Sequence, residues 1–106
     1  MTVDEIYELV AMNIYNSIES EIWEKAVLNA EGDNDAMGIN GYYILNGTQY
    51  PLNITKFDDD VEFALMEFHQ ITTEGDANIW NYAIFTLLPD GELTIDLEWD
   101  SDLETL

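Results

Sequence analysis

The chain has 106 residues, of which 23 are Asp or Glu and only two, Lys25 and Lys56, are cationic, for a formal net charge of -21. That length is one ordinary domain, expected to span 1-106. A hydrophobic fraction of 47%, with three Trp, six Tyr and four Phe, supplies enough apolar area to offset chain entropy and excludes disorder despite the charge. Two lysines cannot displace the counterions of a phosphate backbone, so no direct nucleic acid partner is expected. An anionic membrane surface is excluded by the same sign argument. The absence of cysteine removes disulfides, thiolate metal sites and cysteine nucleophiles together. No apolar run approaches the roughly 20 residues of a membrane span. Met1–Glu5 carries acid where a secretory signal would carry basic charge, so a cytoplasmic protein is the expectation.

Apolar residues at Val3, Ile6, Tyr7, Val10, Ile14, Ile18 and Ile22 recur at helical spacing and predict a helix over residues 3–22. Thr2 followed by Glu5 forms a capping-box pattern at its start. Lys25–Glu31 then alternates, with Ala26, Leu28 and Ala30 on one side, and predicts a strand. After the Gly32–Asp35 turn cluster, Met37–Leu45 reads as a second strand. Asn46-Gly47 is a strong hairpin signal because both residues tolerate positive φ. A third strand at Thr48–Leu52 carries Pro51, which assigns it to a sheet edge.

Asp58-Asp59-Asp60 supplies a cap and an acidic first turn for a second helix, whose apolar face is Val61, Ala64, Leu65, Phe68 and Ile71 and whose end is Gly75. Residues 79–88 and 92–99 are two further strands joined by Pro89-Asp90-Gly91. The order α-βββ-α-ββ, with short connections, predicts an α+β fold: an antiparallel sheet of about five strands packed by two helices.

In the last hairpin, counting outward from Leu88 and Glu92 pairs Leu87 with Leu93, Phe85 with Ile95, Ala83 with Leu97 and Asn81 with Trp99. Every one of these except Asn81 is apolar, so this is the core face. The opposite face then pairs Thr86 with Thr94, Ile84 with Asp96, Tyr82 with Glu98 and Trp80 with Asp100. Aromatics framed by charge are the composition of protein-binding surfaces. Catalysis finds little support. His69, the single histidine, is expected on the surface of the second helix, and no serine sits in a nucleophile elbow. The chain carries no phosphate loop and no dinucleotide fingerprint. A calcium loop begun at Asp33-Asn34-Asp35 would place Met37 and Ile44 at ligand positions, where neither can coordinate. No catalytic residue, metal or cofactor is therefore expected.

Two stretches carry a family resemblance. Trp23-Glu24-Lys25-Ala26-Val27-Leu28-Asn29-Ala30-Glu31 resembles the Trp, acid, Lys and alternating strand of the YezG-like family of bacterial immunity proteins, antitoxins of polymorphic toxin systems. Trp80-Asn81-Tyr82-Ala83-Ile84-Phe85, through Asp90-Gly91 to Leu93-Thr94-Ile95-Asp96-Leu97-Glu98-Trp99-Asp100, is similar to that family's closing Trp-led hairpin. The resemblance implies an immunity protein that neutralises a toxin domain by direct binding, some of the toxins of that family being nucleases. The acidity makes that role physically sensible, because a basic partner would be met at electrostatically steered rates. The expected partner-binding residues are Asp96, Glu98 and Asp100 for charge, with Trp80, Tyr82 and Trp23 as buried anchors. The rival expectation is a stand-alone acidic or salt-adapted domain with no toxin.

Overall fold

The computed structural model describes residues 1–76 and 79–100. Its first helix, α1 (Val3–Ser17), opens with the full capping box. Glu5 donates its amide to Thr2 Oγ1 at 3.2 Å, and Thr2 donates its own to the Glu5 carboxylate at 2.9 Å. These bonds hold the Glu5 carboxyl below its usual range. The buried stripe is Ile6, Val10, Asn13, Ile14 and Ser17. The helix stops five residues short of the predicted end. Ile18 is already extended, and Ser20 Oγ engages both backbone groups of Ile22, a local alternative to helical bonding. The break swings Trp23 back against Tyr15, edge to face at 6.2 Å, while Ile22 is left exposed.

The strands β1 (Lys25–Gly32), β2 (Met37–Leu45) and β3 (Thr48–Pro51) follow as an antiparallel meander. Asn46 and Gly47 both take positive φ at the β2–β3 turn, +51° and +76°, which matches the twist of the flanking strands. Leu52 then folds back over Gly41. A Cβ at that glycine would stand 2.3 Å from the Val27 carbonyl and 2.7 Å from the Leu52 side chain. A single 3-10 turn at Ile54–Lys56 leads into α2 (Asp60–Thr73).

Asp60 stands in the first turn of α2 as expected, but the expected acidic cap is missing. Asp59, the residue at the cap position, is itself helical and makes no side-chain cap bond. The buried Asn13 of α1 ties the two helices together instead. Its Oδ1 accepts from the Asp58 amide at 2.7 Å and its Nδ2 donates to the Leu9 carbonyl at 2.8 Å. Val61, Ala64, Leu65 and Phe68 are buried as predicted, whereas Ile71 is 39% exposed.

The last hairpin is β4 (Tyr82–Leu87) and β5 (Leu93–Glu98), shorter than its predicted strands. All six ladder pairs have the expected register, from Leu87–Leu93 to Tyr82–Glu98. The sheet order is β3-β2-β1-β4-β5, so α2 carries the chain across one face to the far side of β1. Both helices lie on that face. Ala26, Leu28, Ala30, Ala83, Phe85 and Leu87 form one core with the helix stripes. The core face of β5 is incompletely covered: Leu97 and Trp99, predicted as core, are 36% and 49% exposed. The helices reach over β4 but not over the far end of the edge strand. Among the described residues, no helix is long and apolar enough to cross a membrane.

Phe85→Ala should therefore cost about 3–5 kcal/mol through lost transfer energy and a cavity. Trp99→Ala, on the same nominal face, should cost less than about 1.5 kcal/mol. Urea denaturation of the two variants measures both.

Candidate functional site

Antiparallel pairing keyed on β1 sets the helix-free face of the sheet as a series of cross-strand rows. One runs Glu31–Tyr82–Glu98 over β1, β4 and β5. The next runs Asn40–Asn29–Ile84–Asp96, with Asn29 Nδ2 donating to Asn40 Oδ1 at 3.2 Å. A third runs Tyr42–Val27–Thr86–Thr94. Val27, Tyr42, Ile84 and Tyr82 all stand outside the hydrophobic core beneath the helices. Val27 is nevertheless only 6% exposed, because its row neighbours close over it. The result is a shallow apolar and amide centre, rimmed at one end by the exposed carboxylates of Glu31, Asp96 and Glu98. Lys25, the one cation on this face, lies at the other end of β1, roughly 20 Å from Glu31 along the strand.

Tyr82 sits half-buried between Glu31 and Glu98. Burial first, then the charges of Glu31, Glu98 and Asp100 and the neighbouring Tyr42, push its phenol above the ordinary value. The hydroxyl therefore stays neutral and able to donate. The face offers carboxylate acceptors, a phenol donor and apolar area.

The structure brings Tyr82, Asp96 and Glu98 together as predicted. Asp100 lies beside them, with its amide donating to Asn81 Oδ1 at 2.7 Å and its carbonyl accepting from Asn81 Nδ2 at 2.8 Å. Trp80 and Trp23 do not belong to the face. Trp80 is 1% exposed and points into the core. Its indole donates to Thr72 Oγ1 at 2.7 Å and its ring meets Phe68 at 5.8 Å. The cause is a β-bulge. Asn81 donates its amide to the Glu98 carbonyl at 3.1 Å, although Glu98 is already the ladder partner of Tyr82. Two residues thus oppose one, and the alternation shifts by a position. Trp23, 8% exposed, is held by Tyr15.

His69 is also not the surface residue expected. It is half-buried, edge-on to Trp80 with ring centres 4.6 Å apart. Its Nε2 donates to the Trp80 carbonyl at 2.7 Å, and its Nδ1 meets Asn34 Oδ1 in the β1–β2 turn. It is a strut joining α2 to both hairpins. Among the described residues, no three His, Asp or Glu side chains converge as a metal site would require.

Glu31, Asn29, Val27, Asn40 and Tyr42 are members of the face that sequence reasoning missed. The alternation of Lys25–Glu31 already turned Glu31 away from Ala26, Leu28 and Ala30. Only the placement of β1 beside β4 was lacking, and that is set by the crossover of α2. A scan against protein-family models finds no match for this chain, and a search of curated proteins finds none either.

Because folding raises the Tyr82 phenol above its unfolded value of 10.0, its contribution to stability is complete below that pH and fades as pH climbs through the folded value. Tyr82→Phe should flatten the alkaline loss of stability above about pH 10. Urea denaturation of wild type and variant between pH 8 and 11 gives the comparison, and parallel curves would refute the assignment.

Proposed function

We propose that the chain is a non-enzymatic, cytoplasmic immunity protein that binds and neutralises a cognate basic toxin domain of the nuclease class. The observation that carries this reading is the helix-free sheet face, where half-buried Tyr82 is bracketed by Glu31 and Glu98 with Asp96 beside them. In a chain with two cations and 23 acids, the compensating charge for such a face has to come from outside. A nuclease active-site surface, built to attract phosphate, supplies it. The carboxylates would then compete with the phosphate backbone, and the Tyr82, Ile84 and Tyr42 side chains would give desolvated contact area. The resemblance of the Trp23–Glu31 and Trp80–Asp100 stretches to YezG-like immunity proteins supports the same reading.

The salt-adapted alternative is favoured by one observation: acids also crowd surfaces away from this face, including Asp58, Asp59, Asp60 and Glu62 around the start of α2. That reading requires folding stability itself to depend on molar salt.

Asp96→Lys combined with Glu98→Lys should leave the fold intact. It should slow association with the cognate basic toxin domain by at least about tenfold at low salt. The same variant should fail to protect cells expressing that domain. Wild-type association should slow as salt rises. Full protection by the double reversal would move the binding surface off this face, and a toxin-free gene neighbourhood with stability gained only in molar salt would favour the alternative.

A further inference from the structure

The far edge of the sheet carries a pattern that the open face does not explain. Among the described residues, β5 pairs on one side only, with β4. Its hydrogen-bonding parity follows from its ends. The Glu92 carbonyl accepts from Leu88 at 2.9 Å and the Glu98 carbonyl from Asn81 at 3.1 Å. Even-numbered residues therefore turn their backbone groups toward β4. In an antiparallel strand the N–H and C=O of one residue point the same way, so Ile95 and Leu97 direct theirs to the open edge. The side chains are sorted just as cleanly. Leu97, and Trp99 two residues on, are 36% and 49% exposed beyond the cover of the helices. Asp96 and Glu98 stand on the other side, on the open face.

A second copy of this chain fits the edge poorly. Antiparallel pairing of β5 with itself brings Asp96 and Glu98 directly opposite or diagonal to Glu92, Asp96 or Glu98 of the copy, at the roughly 5 to 8 Å of cross-strand and diagonal neighbours. The other edge is closed differently, since β3 has four residues and ends in Pro51.

We propose that β5 accepts a β-strand from the basic partner, one that alternates cationic residues on the open-face side with apolar residues on the helix side. Ile95 and Leu97 would extend the ladder, Leu97 and Trp99 would be covered, and Asp96 and Glu98 would gain opposite-charge cross-strand partners. This rests on the reading above for the partner's charge and adds the way it docks.

The probe is a ten-residue peptide alternating Lys and Val, compared with a peptide of the same composition in which the lysines are blocked together. Amide hydrogen exchange followed by NMR should show Ile95 and Leu97 exchanging freely in the protein alone while Asp96 and Glu98 are protected. The alternating peptide should slow exchange at Ile95 and Leu97 at least tenfold, shift Trp99 emission to the blue, and bind at least tenfold tighter than the blocked peptide. Absence of binding, equal binding of the two peptides, or binding without new protection at Ile95 and Leu97 would overturn strand addition. The same exchange measurement with the toxin domain separates the two readings. Neutralisation without protection at Ile95 and Leu97 removes the edge and leaves the immunity role. Protection by the peptide, with no neutralisation of the toxin domain, keeps the edge and removes that role.

Discussion

Every side chain on the sheet takes its direction from β1, the strand at the centre of the sheet, paired along most of its length on both sides. Ala26, Leu28 and Ala30 are fully buried against the helices. A slip of one residue in either ladder would drive Asn29 and Glu31 into that core, so the register is held from both flanks. The small side chains at positions 26 and 30 leave room for large ones nearby. Phe68 of α2 meets Phe85 of β4 at 6.1 Å and Trp80 at 5.8 Å, forming the aromatic centre of the helix-covered layer. The open face is the consequence. Once the core claims alternate residues of five strands, the others are committed to the helix-free side.

Much of this architecture is legible from local signals. The turn at Pro89-Asp90-Gly91 and the period-2 pattern on either side determine the whole β4–β5 register, and Asn46-Gly47 does the same for β2–β3. The signals that mislead are those decided by tertiary contacts. Helical spacing continues through Ile18 and Ile22, but Trp23 is needed against Tyr15, and the chain leaves the helix to reach it. Alternation places Trp80 outward, but a single bulged residue opposite Glu98 reverses it, and no residue type near Asn81 announces that bulge. The acids before α2 look like caps, yet the bond that fixes the segment comes from Asn13, 45 residues earlier. For the site, the hairpin half is readable from its own sequence. The β1 half depends on strand order, which no local pattern encodes.

The charge is accommodated by spacing rather than by pairing. Among the described residues the buried polar side chains are Asn13 and Ser17, both neutral. Lys56 reaches Glu19 at 3.2 Å, but two cations cannot answer 23 acids. On the open face Tyr82 stands between Glu31 and Glu98. It sets those two strand positions two spacings, roughly 10 Å, apart, about the screening length of physiological salt. Asp96 and Glu98 are closer, near 7 Å along β5. Repulsion is therefore strongest at the edge strand and weakest toward the sheet centre. A basic surface brought to this molecule relieves most repulsion where the carboxylates are densest.

The two sheet edges are protected by different physics, and the difference has a direction. Pro51 lacks an amide hydrogen and ends β3 after four residues, so that edge is a poor template for any added strand, whatever its composition. On β5 the guard is electrostatic. Asp96 and Glu98 oppose another acidic strand, this chain's own included, but they attract a basic one. A charge guard of this kind discriminates between partners, whereas a missing donor does not. The apolar residues that would reward pairing, Leu97 and Trp99, lie exposed on the charge-guarded edge. At the opposite edge, among the described residues, the only large apolar side chain left open is Tyr50, and it is stacked on Tyr43 at 5.4 Å. Among the described residues, the sheet thus disfavours an added strand at one edge through a missing donor and sorts added strands at the other by the sign of their charge.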